Sequence, residues 1–416
     1  MTTRAIVVGA GLAGLSAAVR LREEGVPVTI ADAAAQAGGR CRSYRDPQLR
    51  LVIDNGNHLV LSGNHAVTRF RATVGASPET LAGSDDAAFA FADLNDDRRW
   101  TVRINRGPLP WWTLSRARRV PDTRPRDYLA LARLAGKQGE IGAHVPTDGA
   151  LWDRLLHPVL LAALNTDPAT SSARLAWGVL RETVARGGGA MRPLVAHPTL
   201  GAAFVDPACR WLAEHGSPVA LGRRLRAIHT EADRVTALDW SDGTQAVAPD
   251  ETVILAVPPW VATALLPGIT APDRFHAIVN AHFAGAPPPG APPMLGLIGA
   301  TAEWLFAFPD RISVTVSAAD RLLDVDREEL ARTFWREIAR AYGFDAPMPA
   351  WQIVKEKRAT FAATLDQDAL RPPAATRWRN LALAGDWTQT GLPATIEGAL
   401  RSGETAARLA IRSTTR

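Results

Sequence analysis

The hydrophobic pattern at the start of the chain predicts a strand, a tight turn and a helix. Apolar residues run without interruption over residues 5–8, as they do in a buried parallel strand. Glycines follow at once, and the next segment reads as a helix that keeps a small residue at Ala18 and ends near Gly25. A second apolar strand covers residues 27–31 and finishes on Asp32. The chain therefore begins with a strand, a helix and a second strand.

The glycines of this turn have the spacing GxGxxG, at Gly9, Gly11 and Gly14. Gly9 allows the turn, Gly11 lets a pyrophosphate approach the backbone, and Gly14 lets the helix pack on the strand. The helix N-terminus then faces the phosphates. The carboxylate of Asp32 lies where it can accept hydrogen bonds from both ribose hydroxyls. The unit predicts a dinucleotide site, and the motif alone does not separate NAD from FAD.

From about residue 85 the pattern predicts a second domain. A β hairpin is expected around Asn95 and Asp96, and residues 126–137 and 148–164 carry apolar side chains at helical spacing. We expect these helices to roof a substrate cavity. Three consecutive glycines at 187–189 are expected to form a flexible connection to the next segment.

Beyond residue 200 the pattern predicts further elements of the first domain, followed by further elements of the second. The predicted elements are a helix at 204–215, strands at 218–228, 235–240, 246–248 and 252–257, then strands at 278–283, 294–298 and 312–316 and a helix at 327–342. A length of 416 residues also exceeds one ordinary domain. Both observations predict two interleaved domains.

Composition excludes several classes of protein. The hydrophobic fraction of 47% and the charged fraction of 21% are those of a globular protein. The net charge of +5 is carried almost wholly by arginine, since Lys137, Lys355 and Lys357 are the only lysines. No compact basic run with interleaved aromatic residues occurs, so we expect no nucleic-acid partner.

Cysteine content and hydropathy indicate the cellular setting. Cys41 and Cys209 are the only cysteines, which excludes a disulfide framework and a cysteine metal cluster and favours the reducing cytoplasm. The sequence MTTR leads directly into the first strand, so no signal peptide is expected. No uninterrupted apolar stretch approaches the roughly 18 residues that span a bilayer. We expect a cytoplasmic protein that is soluble or associates with the inner face of the cell membrane.

A tryptophan pair, Trp111 and Trp112, lies beside Arg116, Arg118 and Arg119. Indoles next to arginines suit a membrane interface, where the arginines meet anionic lipid. The alternative is that both indoles cover the core of the second domain. Both interpretations remain open from the sequence.

Gly38, Gly39 and Arg40 follow Asp32 within a short alanine-rich loop. The order of an acid followed by GGR resembles the FAD-binding start of the glutathione-reductase-like flavoproteins, which include amine oxidases and carotenoid desaturases. The resemblance implies FAD as the cofactor. It also implies that the GGR backbone and Arg40 lie against the pyrophosphate and the flavin side.

The same resemblance implies FAD contacts in later segments. The strand around Leu225 is expected to run under the adenine. Near the carboxyl terminus a buried strand ends at Gly385, and Asp386 is expected to bind the ribityl or pyrophosphate end of FAD. The remaining contacts are expected from the backbone of Ala394, Thr395 and Ile396, at the start of a predicted helix.

The fold implied is α/β plus α+β, with a glutathione-reductase-like FAD-binding Rossmann domain interleaved with a mixed substrate-binding domain. We expect the two domains to divide the chain into five segments. Residues 1–84, 201–268 and 351–416 form the FAD-binding domain, and residues 85–200 and 269–350 form the substrate-binding domain.

The sequence LVIDNGNHLVL at residues 51–61 places a polar group between two short β segments. One interpretation is a turn whose side chains satisfy their own backbone. In related flavoproteins, however, the chain passes the isoalloxazine ring at this position. Asn57 is then expected to contact the cofactor, and His58 becomes a candidate for handling a proton beside the flavin.

Several stretches together resemble one subfamily, the squalene-associated FAD-dependent desaturases, which are understood as hydroxysqualene dehydroxylases. The stretches are GGRCRSY, IDNGNHL, NTDPATSSARLAWGVL, GGGAMRPL, NAHF, EKRATFAAT followed by Asp368, and AGDWTQTGLPATIEGALRSG. The likeness implies reduction of hydroxysqualene to squalene in squalene and hopanoid synthesis, with a hydrophobic C30 isoprenoid substrate, reduced FAD and an external electron donor that the sequence does not identify.

Loss of an allylic hydroxyl needs a proton donor. We expect His58 to be this acid, with Asp54 orienting it and His282 in reserve. By a rough alignment, Asn280 stands where amine oxidases place the lysine that holds a water at the flavin. The sequence near the carboxyl terminus contains no cysteine, so FAD is expected to bind noncovalently. The alternatives are a carotenoid-type desaturase, a flavin amine oxidase and a noncatalytic flavin-binding scaffold.

Overall fold

The computed structural model describes residues 4–412 of the chain. Residues 1–3 and 413–416 lie outside the described residues. The expectation about a signal peptide concerns the first of these segments, and the outer ends of the expected FAD-binding domain fall in both.

The described part of the chain contains twenty strands and eleven α-helices, joined by short 3₁₀ and π turns and by loops. The first ten strands are β1 Arg4–Val8, β2 Val28–Ala31, β3 Ser43–Arg45, β4 Val52–Asp54, β5 Leu59–Leu61, β6 Leu81–Gly83, β7 Ala87–Asp93, β8 Arg98–Ile104, β9 Pro193–Ala196 and β10 Val219–Ala220. The others are β11 Leu225–Glu231, β12 Arg234–Trp240, β13 Gly243–Ala246, β14 Glu251–Leu255, β15 Phe275–Ala284, β16 Met294–Ile298, β17 Trp304–Phe308, β18 Arg311–Val316, β19 Trp351–Phe361 and β20 Leu381–Leu383.

The helices lie mainly at the two ends of the chain and between residues 125 and 215. They are α1 Leu12–Glu23, α2 His65–Thr73, α3 Leu129–Ala132, α4 Gly149–Leu151, α5 His157–Leu164, α6 Ala173–Glu182, α7 Asp206–Glu214, α8 Pro259–Leu265, α9 Arg327–Tyr342, α10 Leu365–Ala369 and α11 Ile396–Arg412.

The five-stranded sheet has the order β10, β2, β1, β14, β20, and all its pairs are parallel. Its strands come from segments as far apart as residues 4 and 383. Because the strands are parallel, their carboxyl ends meet at one edge of the sheet. The glycine turn after β1, Asp32 after β2 and Asp386 after β20 are therefore brought to the same edge.

Helices α1 and α11 pack against each other beside this sheet, and Gly403 sets their separation. A Cβ built on Gly403 would lie 2.2 Å from the carbonyl oxygen of Ala13, closer than any real Cβ contact. The hydroxyl of Ser16 donates to the carbonyl of Leu400 at 2.8 Å. The first helix and the last therefore touch backbone to backbone.

The predicted strand at 218–228 is in fact two strands in different sheets. β10 continues the parallel sheet, and β11 begins a three-stranded antiparallel sheet with β12 and β13. Gly222 lies between them with φ of +72°, a left-handed conformation that glycine adopts without strain. The turn at Gly222 thus redirects the chain, and Leu225 follows it into a buried position.

The seven-stranded sheet has the order β19, β15, β18, β17, β16, β7, β8, and only β16 and β7 pair in parallel. Helix α9 packs on its outer face through Leu330, Phe334 and Ile338. The sequence pattern did not predict β17 or β19. The expected boundary at residue 351 assigns β19 to the FAD-binding domain, whereas its backbone pairs with β15 in the larger sheet.

The inner face of this sheet is covered by the helical layer at residues 125–191. The long helices predicted at 126–137 and 148–164 are broken into short pieces, with a 3₁₀ turn at Pro125–Tyr128 and a π turn at Trp152–Leu156. Proline lacks an N–H, so Pro158 cannot continue the hydrogen-bond ladder in the second segment. The pieces still pack on the sheet, as expected for a roof.

The expected flexible connection at residues 187–189 is packed tightly instead. A Cβ built on Gly187 would lie 2.1 Å from the carbonyl oxygen of Gly107. The amide of Gly188 donates to the carbonyl of Asn105 at 2.7 Å. These glycines let two backbone segments pack closely together. Because the connection is packed in this way, the prediction of flexibility was wrong.

Candidate active site

Three loops meet at the carboxyl edge of the parallel sheet. Gly11 forms an isolated β-bridge with Gly38, whose amide donates to the carbonyl of Ala10 at 2.7 Å. The guanidinium of Arg40 binds both carboxylate oxygens of Asp386 at 2.7 Å. The GxGxxG turn, the GGR turn and the loop after β20 thus form one site.

The glycine turn has the shape that a pyrophosphate requires. Gly9 has φ of +104°, and a Cβ there would lie 2.4 Å from the carbonyl oxygen of Ala256. A Cβ on Gly14 would lie 1.9 Å from the carbonyl oxygen of Gly9. A Cβ on Gly11, in contrast, would meet nothing within 4 Å, so open space lies above it. The first turn of α1 carries no acidic residue, which leaves this space suited to an anion.

Asp32 lies where the sequence pattern predicts. Its carboxylate accepts hydrogen bonds from the amides of Ala10 at 2.6 Å and Ala34 at 2.8 Å. The amide of Arg223 donates to the Asp32 carbonyl at 2.9 Å, two residues before Leu225. The acid and the start of β11 are therefore neighbours, as a nucleotide crossing the sheet edge would need.

The carboxyl-terminal loop is fixed to α11. The amide of Gly385 donates to the hydroxyl of Ser402 at 2.9 Å, and Thr395 accepts from the amide of Gly398 at 3.0 Å. Thr395 thus caps the helix. Ala394 and Ile396 flank this cap, so the segment forms a second helix N-terminus near the site.

Arg371, which the sequence analysis missed, supports this loop from behind. Its side chain is 1% exposed. It donates to the carboxylate of Asp368 at 3.2 Å, to the carbonyl of Asp386 at 3.0 Å and to the hydroxyl of Thr390 at 2.8 Å. It also donates to the carbonyl of Thr388. The only earlier signal was Asp368, which belongs to the family-like stretches but had no assigned role.

The loop at Asn55–Asn57 is held by β15 and β18. The Asn280 carboxamide accepts from the Asn57 amide at 3.4 Å and donates to the Asn55 carbonyl at 3.4 Å. Thr315 joins the two side chains, since it donates to Asn280 at 2.8 Å and accepts from Asn57 at 3.1 Å. The Asn57 Oδ1 is buried and has no partner in the described residues. It is free to accept a hydrogen bond from a cofactor.

The expected pairing of Asp54 with His58 is not present. The Asp54 carboxylate accepts from the hydroxyl of Ser43 at 2.6 Å and from the amide of Leu200 at 2.9 Å. Burial raises the pKa of Asp54 to about 6. Asp54 therefore ties β4 to the segment at residue 200, and its expected role as the orienting group for His58 stays a prediction without a direct contact behind it.

The two candidate histidines are both neutral near pH 7. Burial, and then the charge of Arg40, lower the pKa of His58 to about 4 against a smaller opposing effect of Asp386. Burial, and then Arg311, lower the pKa of His282 to about 3. His282 is fully buried, its Nδ1 lies 2.8 Å from the hydroxyl of Ser313, and its reserve role as an acid stays a prediction.

One tryptophan of the pair is buried in the core and the other is exposed. Trp112 is 3% exposed and meets the ring of Tyr128 edge-on at 5.0 Å, as a core residue does. Trp111 is 54% exposed, and the guanidinium of Arg118 lies 5.2 Å from its ring centroid. Only Trp111 is available to a partner.

Comparison with known proteins gives a family model and several relatives that match nearly the whole chain. The family model of flavin-containing amine oxidoreductases matches residues 12–411. The chain is 51% identical to the hydroxysqualene dehydroxylase of Sinorhizobium fredii over 98% of both chains. It is 52% identical to that of Rhodopseudomonas palustris over 97% of both chains.

Solved structures support the fold. An oxidoreductase from Methanosarcina mazei has a TM-score of 0.72 at 14% identity, over 97% of this chain and 100% of the other. Cyclohexylamine oxidase from Brevibacterium oxydans has a TM-score of 0.68 at 16% identity, over 99% of both chains. The predicted fold class is confirmed.

We expect Arg371→Met to remove bound flavin and lower stability. The substitution leaves the buried carboxylate of Asp368 without this partner and several carbonyls without a donor, which costs ~3–5 kcal/mol for a buried pair. Denaturant unfolding and the flavin absorbance of the purified variant measure both effects. The control is Arg174→Met, because Arg174 also binds Asp368 but is 48% exposed. A variant at position 371 with wild-type stability and flavin content would contradict this role.

Proposed function

The chain belongs to the flavin-containing amine oxidoreductases and, within them, to the hydroxysqualene dehydroxylases, and from this premise we propose how its residues convert hydroxysqualene to squalene. It is an FAD-dependent oxidoreductase. The proposal rests on one observation. The GxGxxG turn, the GGR turn and the loop after β20 lie together at one edge of the parallel sheet, next to the inner face of the seven-stranded sheet.

We propose that FAD lies across this edge, with the pyrophosphate in the open space at Gly11 and the ribose hydroxyls on Asp32. Arg40 and Asp386 offer a cation and a carboxylate to the ribityl and pyrophosphate part. The proposed contact residues are Gly9, Gly11, Gly14, Asp32, Gly39, Arg40, Asn57, Leu225, Gly385, Asp386, Ala394, Thr395 and Ile396.

The reaction exchanges a C–OH bond for a C–H bond. Reduced FAD, when bound, supplies the hydride for the allylic carbon. A proton is needed as well, because hydroxide is a poor leaving group and departs more readily as water. The protein must supply that proton, shield the allylic cation from water, and hold a C30 hydrocarbon. Since each turnover uses two electrons, we also propose an external electron donor.

We propose that His58 delivers the proton. A group with a pKa of about 4 is protonated in roughly one molecule in a thousand at pH 7, but its imidazolium is a strong acid. Asp54 contributes to this scheme indirectly, because its hydrogen bonds with Ser43 and Leu200 fix β4, which leads into the loop of His58.

A direct test of the reaction is anaerobic mixing of the reduced enzyme with hydroxysqualene. We expect the flavin to become oxidised while one squalene forms for each flavin. The oxidised enzyme mixed with squalene is the control for a desaturase running in the opposite direction. A flavin that stays reduced, with no squalene formed, would contradict the proposed reaction.

The role of His58 predicts a pH dependence. The protonated fraction of His58 rises about tenfold for each unit that the pH falls, until the pH reaches the pKa of about 4. We therefore expect kcat/KM of the wild type to increase as the pH is lowered from 8 to about 5, and His58→Gln to remove this slope. His229→Gln, at a histidine that is 53% exposed on β11, is the control. A slope that persists in His58→Gln would exclude His58 as the acid.

We propose that the enzyme reaches its substrate at a membrane surface. In the loop at residues 109–114, Leu109 is 75%, Trp111 54% and Leu114 69% exposed. Arginines at 106, 116, 118 and 119 flank this loop. Exposed apolar side chains beside cations suit the surface of an anionic bilayer, and a C30 isoprenoid dissolves in its interior. Within residues 4–412, no helix is long and apolar enough to cross a membrane.

The membrane proposal predicts that Trp111→Ala with Leu114→Ala lowers co-sedimentation with anionic liposomes several-fold. Each substitution removes exposed apolar area from the loop, and the buried residue Trp112 is unchanged. The matched control is Leu221→Ala with Leu365→Ala, two leucines elsewhere that are 45% and 42% exposed. Equal co-sedimentation of both double variants and the wild type would rule out this loop as the contact.

A further inference from the structure

One cross-strand row of residues joins the Asn57 loop to the far edge of the seven-stranded sheet. Residues that face each other directly in paired strands lie on the same face of a sheet. In strand order from β8 to β19, the row is Trp100, Phe91, Gly296, Trp304, Thr315, Asn280 and Val354. It lies on the inner face, opposite α9 and below the helical layer.

The inner face changes character along this row. On β15 and β18 it is polar, with Asn280, His282, Ser313 and Thr315. On the four strands from β17 to β8 it is aromatic and apolar. The aromatic side chains are Trp304, Phe306, Phe308, Phe89, Phe91 and Trp100. The boundary falls between Thr315 and Trp304, which are direct partners in the register.

This boundary lies close to the cofactor loop. Thr315 and Asn280 bind the side chain and backbone of Asn57. Neighbouring strands are ~4.8 Å apart, so Trp304 is one strand from Thr315 and ~10 Å from Asn280. A long hydrocarbon with one hydroxyl group matches such a surface, because the hydroxyl favours the polar side and the chain favours the aromatic side.

Trp304 has a polar group that no residue in the described part of the chain satisfies. Its side chain is 5% exposed, and its indole N–H is buried without a hydrogen-bond partner. The Cζ3 atom of the indole lies 3.1 Å from a Cβ built on Gly296, which places the six-membered ring over that glycine. Nε1 belongs to the other ring of the indole, so the N–H is not the group that packs on Gly296. A buried donor without an acceptor is unfavourable, and a ligand oxygen would relieve it.

We propose that the indole N–H of Trp304 binds the hydroxyl oxygen of the alcohol substrate, and so determines specificity for hydroxysqualene over squalene. This inference rests on the proposed function. Trp304 donates, and the oxygen accepts while its carbon lies at the boundary between the polar and aromatic halves of the face. The product has no oxygen, so it cannot make this bond, and its release is favoured over that of the substrate.

The test compares the alcohol and the hydrocarbon as ligands of the oxidised, FAD-loaded full chain. Binding is followed by the change in flavin absorbance, which needs no turnover. Trp304→Phe keeps an aromatic ring and removes the N–H. We expect the affinity for hydroxysqualene to fall roughly tenfold, as for loss of one hydrogen bond, while the affinity for squalene changes less than about twofold.

Trp100→Phe is the matched control. Trp100 also has a buried indole N–H without a partner in the described residues, but it lies at the far end of the row on β8. We expect this variant to bind both ligands like the wild type. An equal loss of affinity for both ligands in Trp304→Phe, or selective loss in Trp100→Phe, would overturn the proposal. A wild type that binds neither ligand would instead refute the proposed function itself.

Discussion

The packing of α1 against α11 brings two loops that are far apart in the sequence, after β1 and after β20, to one edge of the parallel sheet. It depends on Gly403, where any side chain would strike the backbone of Ala13. With the helices in contact, the N-terminus of each lies near the same edge, and the loop after β20 comes within reach of the GGR turn. The ion pair of Arg40 with Asp386 joins the two loops in this arrangement.

The seven-stranded sheet contributes one of its faces to the candidate site, whereas the parallel sheet contributes the loops at its edge. Its outer face packs on α9 through aliphatic and aromatic side chains. Its inner face carries amides and hydroxyls beside the Asn57 loop and aromatic rings farther away. The groups that hold this loop from the sheet, Asn280 and Thr315, are both neutral. An uncharged environment suits a hydrocarbon substrate better than it suits an amine.

The sequence predicted those parts of the fold that depend on local patterns. The glycine turn, Asp32 and α9 are where they were expected, because spacing and amphipathic periodicity are properties of neighbouring residues. The strand β17 was missed, since a continuous apolar run such as WLFAF has no distinguishing period. Arg371 could not be found from any motif, because most of its partners are carbonyls and hydroxyls in a loop 15 to 19 residues away. The pairing of Asp54 with Ser43 and Leu200 likewise depends on tertiary contacts.

The strand order of the parallel sheet has a consequence for biosynthesis. The central strand β1 pairs with β14, about 250 residues later, and β14 pairs with β20 near the end of the chain. At about 5–20 residues per second, a ribosome needs ~20–80 s to make all 416 residues. Strand β2 is made soon after β1, but the other edge of β1 has no partner until β14 is made, and the face of α1 that packs on α11 is uncovered until the last helix is made. Loss of α11 therefore exposes the face of α1 that carries Ala13 and Ser16.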